Sequence, residues 1–484
     1  MSSTPSHSGS GGDHAGHHPH HRLIQWIETK TTKLREQFDR LWAIAFILLL
    51  LATHPLWWAA SEDAYQVAHE DPFAYPCIPL VEWGTRIGHV TDRVLTLLLM
   101  TCLVINAVSP NNRVGMRRAA WAGAFFSLVL LILADQHRLQ PWLYQTVLLS
   151  AAFSWMGFTS ERASQTQGYV RVLFVSIYLC SALGKLDFQF LHTVGQDFAR
   201  TAFGFAGIDF LGWDSRPRLI TATCFPVVEL LLGTLLLVPA TRKVAAVLVA
   251  AMHLGIFTLL SPLGLGHSLG VLIWNLVMAF AVLALFFPSS YEQTSESHPS
   301  REPSQKRSRF GLRLTQALFA CAILFPLAER TGYWDHWQSW SLYSPHNSRV
   351  SVQLHSSALR ELTPRTDASS QPDAARDSPA LANLPWIGPD DDEDGWHSVS
   401  LADWSLHQRA VPVLPQSRYQ VALLHHLSQQ PAFRSRIRGI HKSVSDRWTG
   451  EREETYLLDQ DDLARALAKH WMIPSTKPAS RHIE

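Results

Sequence analysis

The stretch 168-GYVRVLFVSIYLCSALGKLD-187 decides how this chain is read. It is an apolar run of about the ~20 residues that cross a bilayer core, and it ends in a lysine followed by Leu-Asp. Lys185 has two readings at such a place. Its ammonium can extend along the apolar stem to the membrane surface, or it can face the interior of a helical bundle, where ionisable groups usually mark a functional path.

Working outward, comparable runs recur at 41–60, 92–109, 117–134, 141–159, 219–239, 243–261, 267–288 and 310–328. One such run can be a buried helix of a soluble protein; nine cannot. Composition agrees, since 47% of the 484 residues are hydrophobic and only 17% charged, against about 25% charged in soluble domains. The expected fold is an all-α polytopic membrane bundle of eight or nine transmembrane helices, with a small extracytoplasmic α+β C-terminal domain. A net charge of +1 gives no reason to expect nucleic acid as a partner.

Lysine and arginine alternate between connections. The set containing Lys30, Arg113, Arg162, Arg242 and Lys306 holds seventeen, and the opposite set holds seven. Basic residues favour the cytoplasmic side, so the N-terminus reads as cytoplasmic and the C-terminus as extracytoplasmic in a plasma or inner membrane. The expected organisation follows. Residues 1–40 form a polar, His-rich cytoplasmic tail with an amphipathic segment, and 41–288 form the bundle. Residues 289–309 are a cytoplasmic linker, 310–328 the last transmembrane helix, and 329–484 the outer domain, with 362–395 disordered.

Within that outer domain, 349–355 reads as a strand and 417–430 and 459–471 as helices, the last with Asp459 as N-cap. In 334-WDHWQSWSLYSP-345, Trp334, Trp337, Trp340 and Tyr343 recur every third residue, which suits an aromatic belt at the interface. The segment 73-FAYPCIPLVEW-83 reads as one that dips back into the interface. The histidines of residues 1–21 suit a disordered tail better than a metal site. Five cysteines, four of them inside spans, imply no disulfide framework, and without a CxxC pair no zinc site of that type is implied, so no metal is expected.

Ionisable and polar groups inside the bundle gather at few places: Asp135 and Arg138 between the third and fourth spans, Lys185 and Asp187 at the end of the fifth, Glu229 in the sixth, His253 in the seventh, and Trp274 with Asn275 in the eighth. Alternating topology sets Lys185 and the 135–145 and 267–275 segments toward the outer side, with Glu229 and His253 near mid-depth, so one outward polar cavity could collect them. Each residue also has a plain reading. His253 can be a packed, hydrogen-bonded core histidine, Asn275 an interhelical hydrogen-bonder, and Asp135 and Arg138 a mutual ion pair. A mid-span carboxylate such as Glu229 must be protonated, paired or wet. In an apolar cavity a lysine amine can serve as a general base, whereas Glu229 or Asp187 beside it would act as its counter-ion.

The segment 178-YLCSALGKLD-187, the mid-span acid of 226-PVVELLLGTLLLVP-239, His253 and 135-DQHRLQPWLYQ-145 together resemble the HTTM superfamily, to which the vitamin K-dependent gamma-carboxylase belongs. The resemblance covers about 40–345. Small quinone-associated bundles of the DoxX type share the proline-to-acid pattern around Glu229. The resemblance implies Lys185 as the catalytic lysine that deprotonates a reduced naphthoquinone, which reacts with oxygen to give a strong base. That base removes a substrate proton and carbon dioxide adds to the carbanion, with His253 assisting by hydrogen bonding. Pro141 and Trp142 stand where the family carries Asn and His, with His137 nearby, and the C-terminal region is shorter than the carboxylase's lumenal one. Three function classes follow: an enzyme linked to a quinone or carboxylating a protein substrate at the outer face; a non-catalytic membrane protein that binds lipid or quinone or joins an envelope complex; and a transporter using Glu229 and Lys185 as a coupling pair.

Overall fold

The computed structural model describes residues 30, 33–58, 72–81, 89–157, 163–287, 309–332, 334–362, 384–390 and 393–469. The His-rich tract, the acidic residues of the 61–71 loop and the 289–308 linker lie outside the described residues. Within lipid every backbone polar group must be satisfied inside its own segment, which leaves apolar runs the helix as their solution. Seven described helical segments are long and apolar enough to cross a membrane: Val90–Val108, Val114–Ala134, Gln165–Lys185, Ser215–Leu237, Arg242–Leu260, Leu269–Phe286 and Arg309–Thr331. This is an integral membrane protein. Its helices turn outward a surface that water would not tolerate, with Val90, Val94 and Leu97 exposed on one and Val227, Val228 and Leu231 on another.

The helices are α1 (Phe38–Ala52), α2 (His54–Trp58), α3 (His89–Val108), α4 (Val114–Ala134), α5 (Pro141–Ala151), α6 (Ala163–Lys185), α7 (Phe188–His192), α8 (Val194–Gly204), α9 (Ser215–Leu237), α10 (Arg242–Leu260), α11 (Leu269–Phe286) and α12 (Arg309–Leu324). Two of the nine expected spans are divided. The first breaks at Thr53, whose hydroxyl bonds back to the Leu49 carbonyl at 2.7 Å, and Pro55 follows without an N–H to continue the ladder. The fourth, α5, starts on Pro141 and ends in a wider turn over Ala152–Met156. Nearly every α5 side chain is buried, so it is a helix sheathed by protein on almost every face, its few polar side chains hydrogen-bonded within the bundle.

Packing joins α3 to α4, α6 to α9, α9 to α10 and α10 to α11. Gly233 makes the α6–α9 contact possible, because a Cβ there would sit 3.0 Å from that of Tyr178. Small residues of this kind let membrane helices approach closely.

After α12 a tight helical turn, Phe325–Thr331, leads into a domain with a four-stranded antiparallel sheet in the order β2 (Trp396–Val399), β1 (Arg349–His355), β3 (Ile437–Lys442), β4 (Glu454–Leu457). Val352 pairs with Val399 on one side and Gly439 on the other. Alternate β1 residues Val350, Val352 and Leu354 are buried against α15 (Ser417–Gln429). Helices α13 (Ser356–Leu362), α14 (Leu401–Arg409) and α16 (Gln460–Lys469) complete it. Asp459 caps α16 by accepting from the Asp462 N–H at 2.8 Å.

Three expectations require correction here. Residues 72–81 do not dip into the interface: Phe73, Tyr75 and Ile78 enter the core of the C-terminal domain, and the Trp404 indole donates to the Phe73 carbonyl at 2.7 Å. Part of the 362–395 segment is ordered, since Ile387 bridges to Val399 and Trp386 is buried. The aromatic belt is also not one. Trp340 is fully buried and donates to the Ala322 carbonyl. Trp340 and Tyr343 hold left-handed backbones, φ 59° and 61°, which bulky residues adopt only when surroundings compel them.

Candidate functional site

Lys185 closes α6, and a helix sets residues four apart on one face, so its Nζ lies over Ser181 and donates to Oγ at 2.7 Å. The same Nζ is 2.5 Å from Glu229 Oε2 on the neighbouring α9. Both ions are buried, with Lys185 only 6% exposed. The lysine turns inward and does not snorkel. Glu229 lies three residues after Pro226, which sits inside α9 and takes from Ala222 the hydrogen bond that its missing N–H would have made.

A second polar chain runs beside the ion pair. His253 on α10 stands between Tyr178 on α6 and Asn275 on α11, with Nε2 2.9 Å from the tyrosine hydroxyl and Nδ1 3.0 Å from Asn275 Oδ1. Asn275 Nδ2 donates to the Val271 carbonyl, which orients the amide and leaves its oxygen facing the ring. That oxygen only accepts, so Nδ1 carries the proton and Nε2 accepts from Tyr178. Tyr178 is two turns before Lys185 on the same face. Its helix packs against the one that carries Glu229, with Gly233 of that helix set against the Tyr178 Cβ. Tyr343 approaches Asn275 from the C-terminal side, within hydrogen-bonding reach. Lys185, Glu229, His253 and Asn275 therefore belong to one polar centre drawn from four helices.

The other sequence candidates go elsewhere. Asp187, two residues from Lys185, points the opposite way. It caps α7 through the Phe190 N–H and pairs with Arg330 at 3.0 Å. Asp135 and Arg138 do not pair with each other and do not join Lys185. Arg138 grips Asp92 through both guanidinium nitrogens, at 2.5 and 2.8 Å, while Asp135 faces Arg409 of α14 at 3.4 Å. Trp274 donates to Gln145 at 3.0 Å, on the α5 side of α11. His137 is buried in the C-terminal domain contact, beside Ser405 and the Pro412 carbonyl and stacked on Tyr75. Burial there pushes its pKa down to about 4.

A second cluster escaped the sequence reading. Glu329, at the end of the last span, accepts from His336 at 2.8 Å and faces His346 Nε2 at 2.9 Å. His346 Nδ1 in turn lies 3.3 Å from Asp187. Burial works against the charge on Asp187, but His346, the Phe190 N–H and Arg330 hold its carboxyl below the usual range. The 341–346 loop approaches α6 at Gly184, where a Cβ would lie 3.1 Å from Ser341 Oγ and 3.2 Å from Ser344 Oγ. The available signal was an acid in 325-FPLAERTG-332, at the close of an apolar run.

A family model described as methylamine utilisation protein MauE matches residues 163–270, less than a quarter of the chain. The match runs from the start of α6 to the start of α11 and so includes Tyr178, Lys185, Glu229 and His253. No curated protein and no solved structure matches the chain.

Proposed function

We propose that the Lys185 centre binds the oxygen-bearing head of an apolar ligand, a quinone, inside a membrane protein of HTTM type. The observation that carries this reading is the inward lysine. Among the described residues Nζ has two partners, Ser181 and Glu229, and an ammonium has three N–H donors, so one is free for a ligand oxygen. With Glu229 as its immediate counter-ion, Lys185 acts as a hydrogen-bond donor rather than as a general base. His253, polarised between Tyr178 and Asn275, supplies a second polar edge. A naphthoquinone presents two carbonyl oxygens on a flat apolar ring, which fits donors on the wall of a helical bundle. When bound, it would supply redox chemistry that these side chains lack.

The MauE match spans three of the four helices that carry this centre, those of Lys185, Glu229 and His253, and supports reading them as a membrane unit. The alternating charges of the connections support a cytoplasmic N-terminus and an extracytoplasmic C-terminal domain. Carboxylation is not proposed: Trp142 occupies the place of the family's histidine, and His137 is committed to Ser405 and Pro412.

The test is Lys185→Ala in protein purified from membranes, with organic extracts of both forms analysed by mass spectrometry. Wild type should retain a co-purifying quinone and the variant should lose most of it. Equal quinone content, or a phospholipid as the one ligand that responds to the substitution, overturns the reading.

A further inference from the structure

Three buried side chains at the junction of the bundle and the C-terminal domain converge on one point: Glu329, His336 and His346, whose ligand atoms all lie within 4.8 Å of one another. We propose that they bind a divalent transition-metal ion of the zinc class.

The argument rests on where protons can go. Glu329 Oε1 is 2.8 Å from His336 Nδ1 and 3.0 Å from His346 Nε2, and Oε2 is 2.9 Å from the same His346 nitrogen. On their outer sides, His346 Nδ1 faces the Asp187 carboxylate at 3.3 Å, and the His336 ring meets the Ser344 backbone. His346 Nδ1 is buried without a hydrogen bond among the described residues, and satisfying every one of these contacts with protons would need one on both nitrogens of each ring. That makes two buried imidazolium ions with ring centroids 4.9 Å apart, which share Glu329 between them, with Asp187 beyond His346. Like charges so close in a dry site oppose each other strongly.

A metal ion resolves the conflict. Each imidazole keeps one N–H, directed outward to Asp187 or to Ser344, and turns its lone pair inward with the carboxylate. An outer acceptor fixing the tautomer of a liganding histidine is the usual support of such sites. Two imidazoles and a carboxylate suit zinc and its first-row neighbours, and three protein ligands leave a coordination position for water or substrate. Ligand atoms about 2.0–2.2 Å from a tetrahedral ion stand roughly 3.4 Å apart, so the contacts of Glu329 with the two histidines need open by only about half an ångström. The strained backbones of Trp340 and Tyr343 lie in the loop that delivers both histidines, and strain of this kind persists where a loop is held for a purpose.

The experiment uses the full chain purified on a tag without histidine, loaded with zinc and dialysed, with zinc measured per chain. The His-rich N-terminal tract is present in every sample and cancels in the comparison. Wild type should carry about one zinc ion more than Glu329→Gln or His336→Ala. Chelation should lower the melting temperature of wild type, zinc should restore it, and both variants should be indifferent to either. Glu329→Gln keeps size and hydrogen-bonding capacity, so the comparison survives if the histidine variant folds poorly. Equal zinc content in all three, or a wild-type melting temperature that chelator and zinc leave unmoved, overturns the proposal in favour of a protonated histidine network. The result is independent of whether Lys185 holds a quinone.

Discussion

Lys185 and Asp187 stand two residues apart on one turn and enter two different polar centres. Lys185 meets Glu229 between two packed membrane-spanning helices, one cation to one anion. Asp187 meets His346, and through it Glu329 and His336, in a cluster built from a helix end and a loop with left-handed residues. The first centre is electrically closed by its own residues. The second has more nitrogens aimed at carboxylate than neutral rings can satisfy with protons. The buried ion pair is complete in charge and leaves only a hydrogen-bond donor for a neutral ligand, whereas converging lone pairs call for a cation.

The largest expected effect tests whether the first centre is closed. Removing one partner of a buried pair leaves an uncompensated charge and costs about 3–5 kcal/mol. Glu229→Gln and Lys185→Met should each lower the melting temperature of the purified protein steeply. The double variant should lie nearer wild type than either, because neither charge then remains. Singles no worse than the double would mean that water already solvates Lys185, and the contrast between the two centres would fail.

A third buried region sharpens the contrast, because among the described residues no carboxylate is hydrogen-bonded to its histidine ring. His137 contacts the Ser405 hydroxyl and the Pro412 carbonyl, with Asp135, Arg409, Arg138, Tyr75 and Tyr419 as the ionisable groups around it. Burial pushes its pKa from 6.5 to about 4. The unfolded chain therefore takes up a proton first as pH falls. Stability is intact above about 6.5, declines between 6.5 and 4, and levels below that, by on the order of 3 kcal/mol for a shift of this size. His137→Gln should flatten that part of the stability–pH curve, read by urea unfolding at a series of pH values. An unchanged slope would mean that the ring stays wet.

These centres were unequally legible in the sequence. Lys185, Glu229 and His253 stand out because a polar group in an apolar run is a local anomaly, visible without knowing any contact. Their destinations are non-local: Arg138 finds Asp92, and Asp135 finds Arg409 far along the chain. The nearer and wrong partner was the one that spacing suggested. Strand β1 and helices α15 and α16 were readable from alternation, periodicity and a cap. The 334–346 segment was misread because its three-residue aromatic period belongs to no regular element. It arises from a sequence of turns that buries Trp340 and half-buries Tyr343, and the same turns carry His336 and His346 to Glu329. The 72–81 segment was misread for a related reason, since apolar residues do not say whether lipid or a distant domain will cover them.

Gly184 links the two centres and gives the smallest expected effect. It precedes Lys185 in α6, and a Cβ there would press on Ser341 and Ser344, in the loop that supplies His346. Gly184→Ala gains roughly 1 kcal/mol of helix propensity and loses a similar amount if the loop retreats by a few tenths of an ångström, so the melting temperature should barely move. The two centres should respond differently. Retreat of the loop displaces His336 and His346 from Glu329, while Lys185, Ser181 and Glu229 are held by helices. Zinc affinity should therefore fall roughly tenfold, equivalent to about 1.4 kcal/mol, with quinone retention unchanged. Loss of quinone with zinc affinity intact would show that the loop supports the Lys185 centre instead, through Tyr343 and its contact with Asn275.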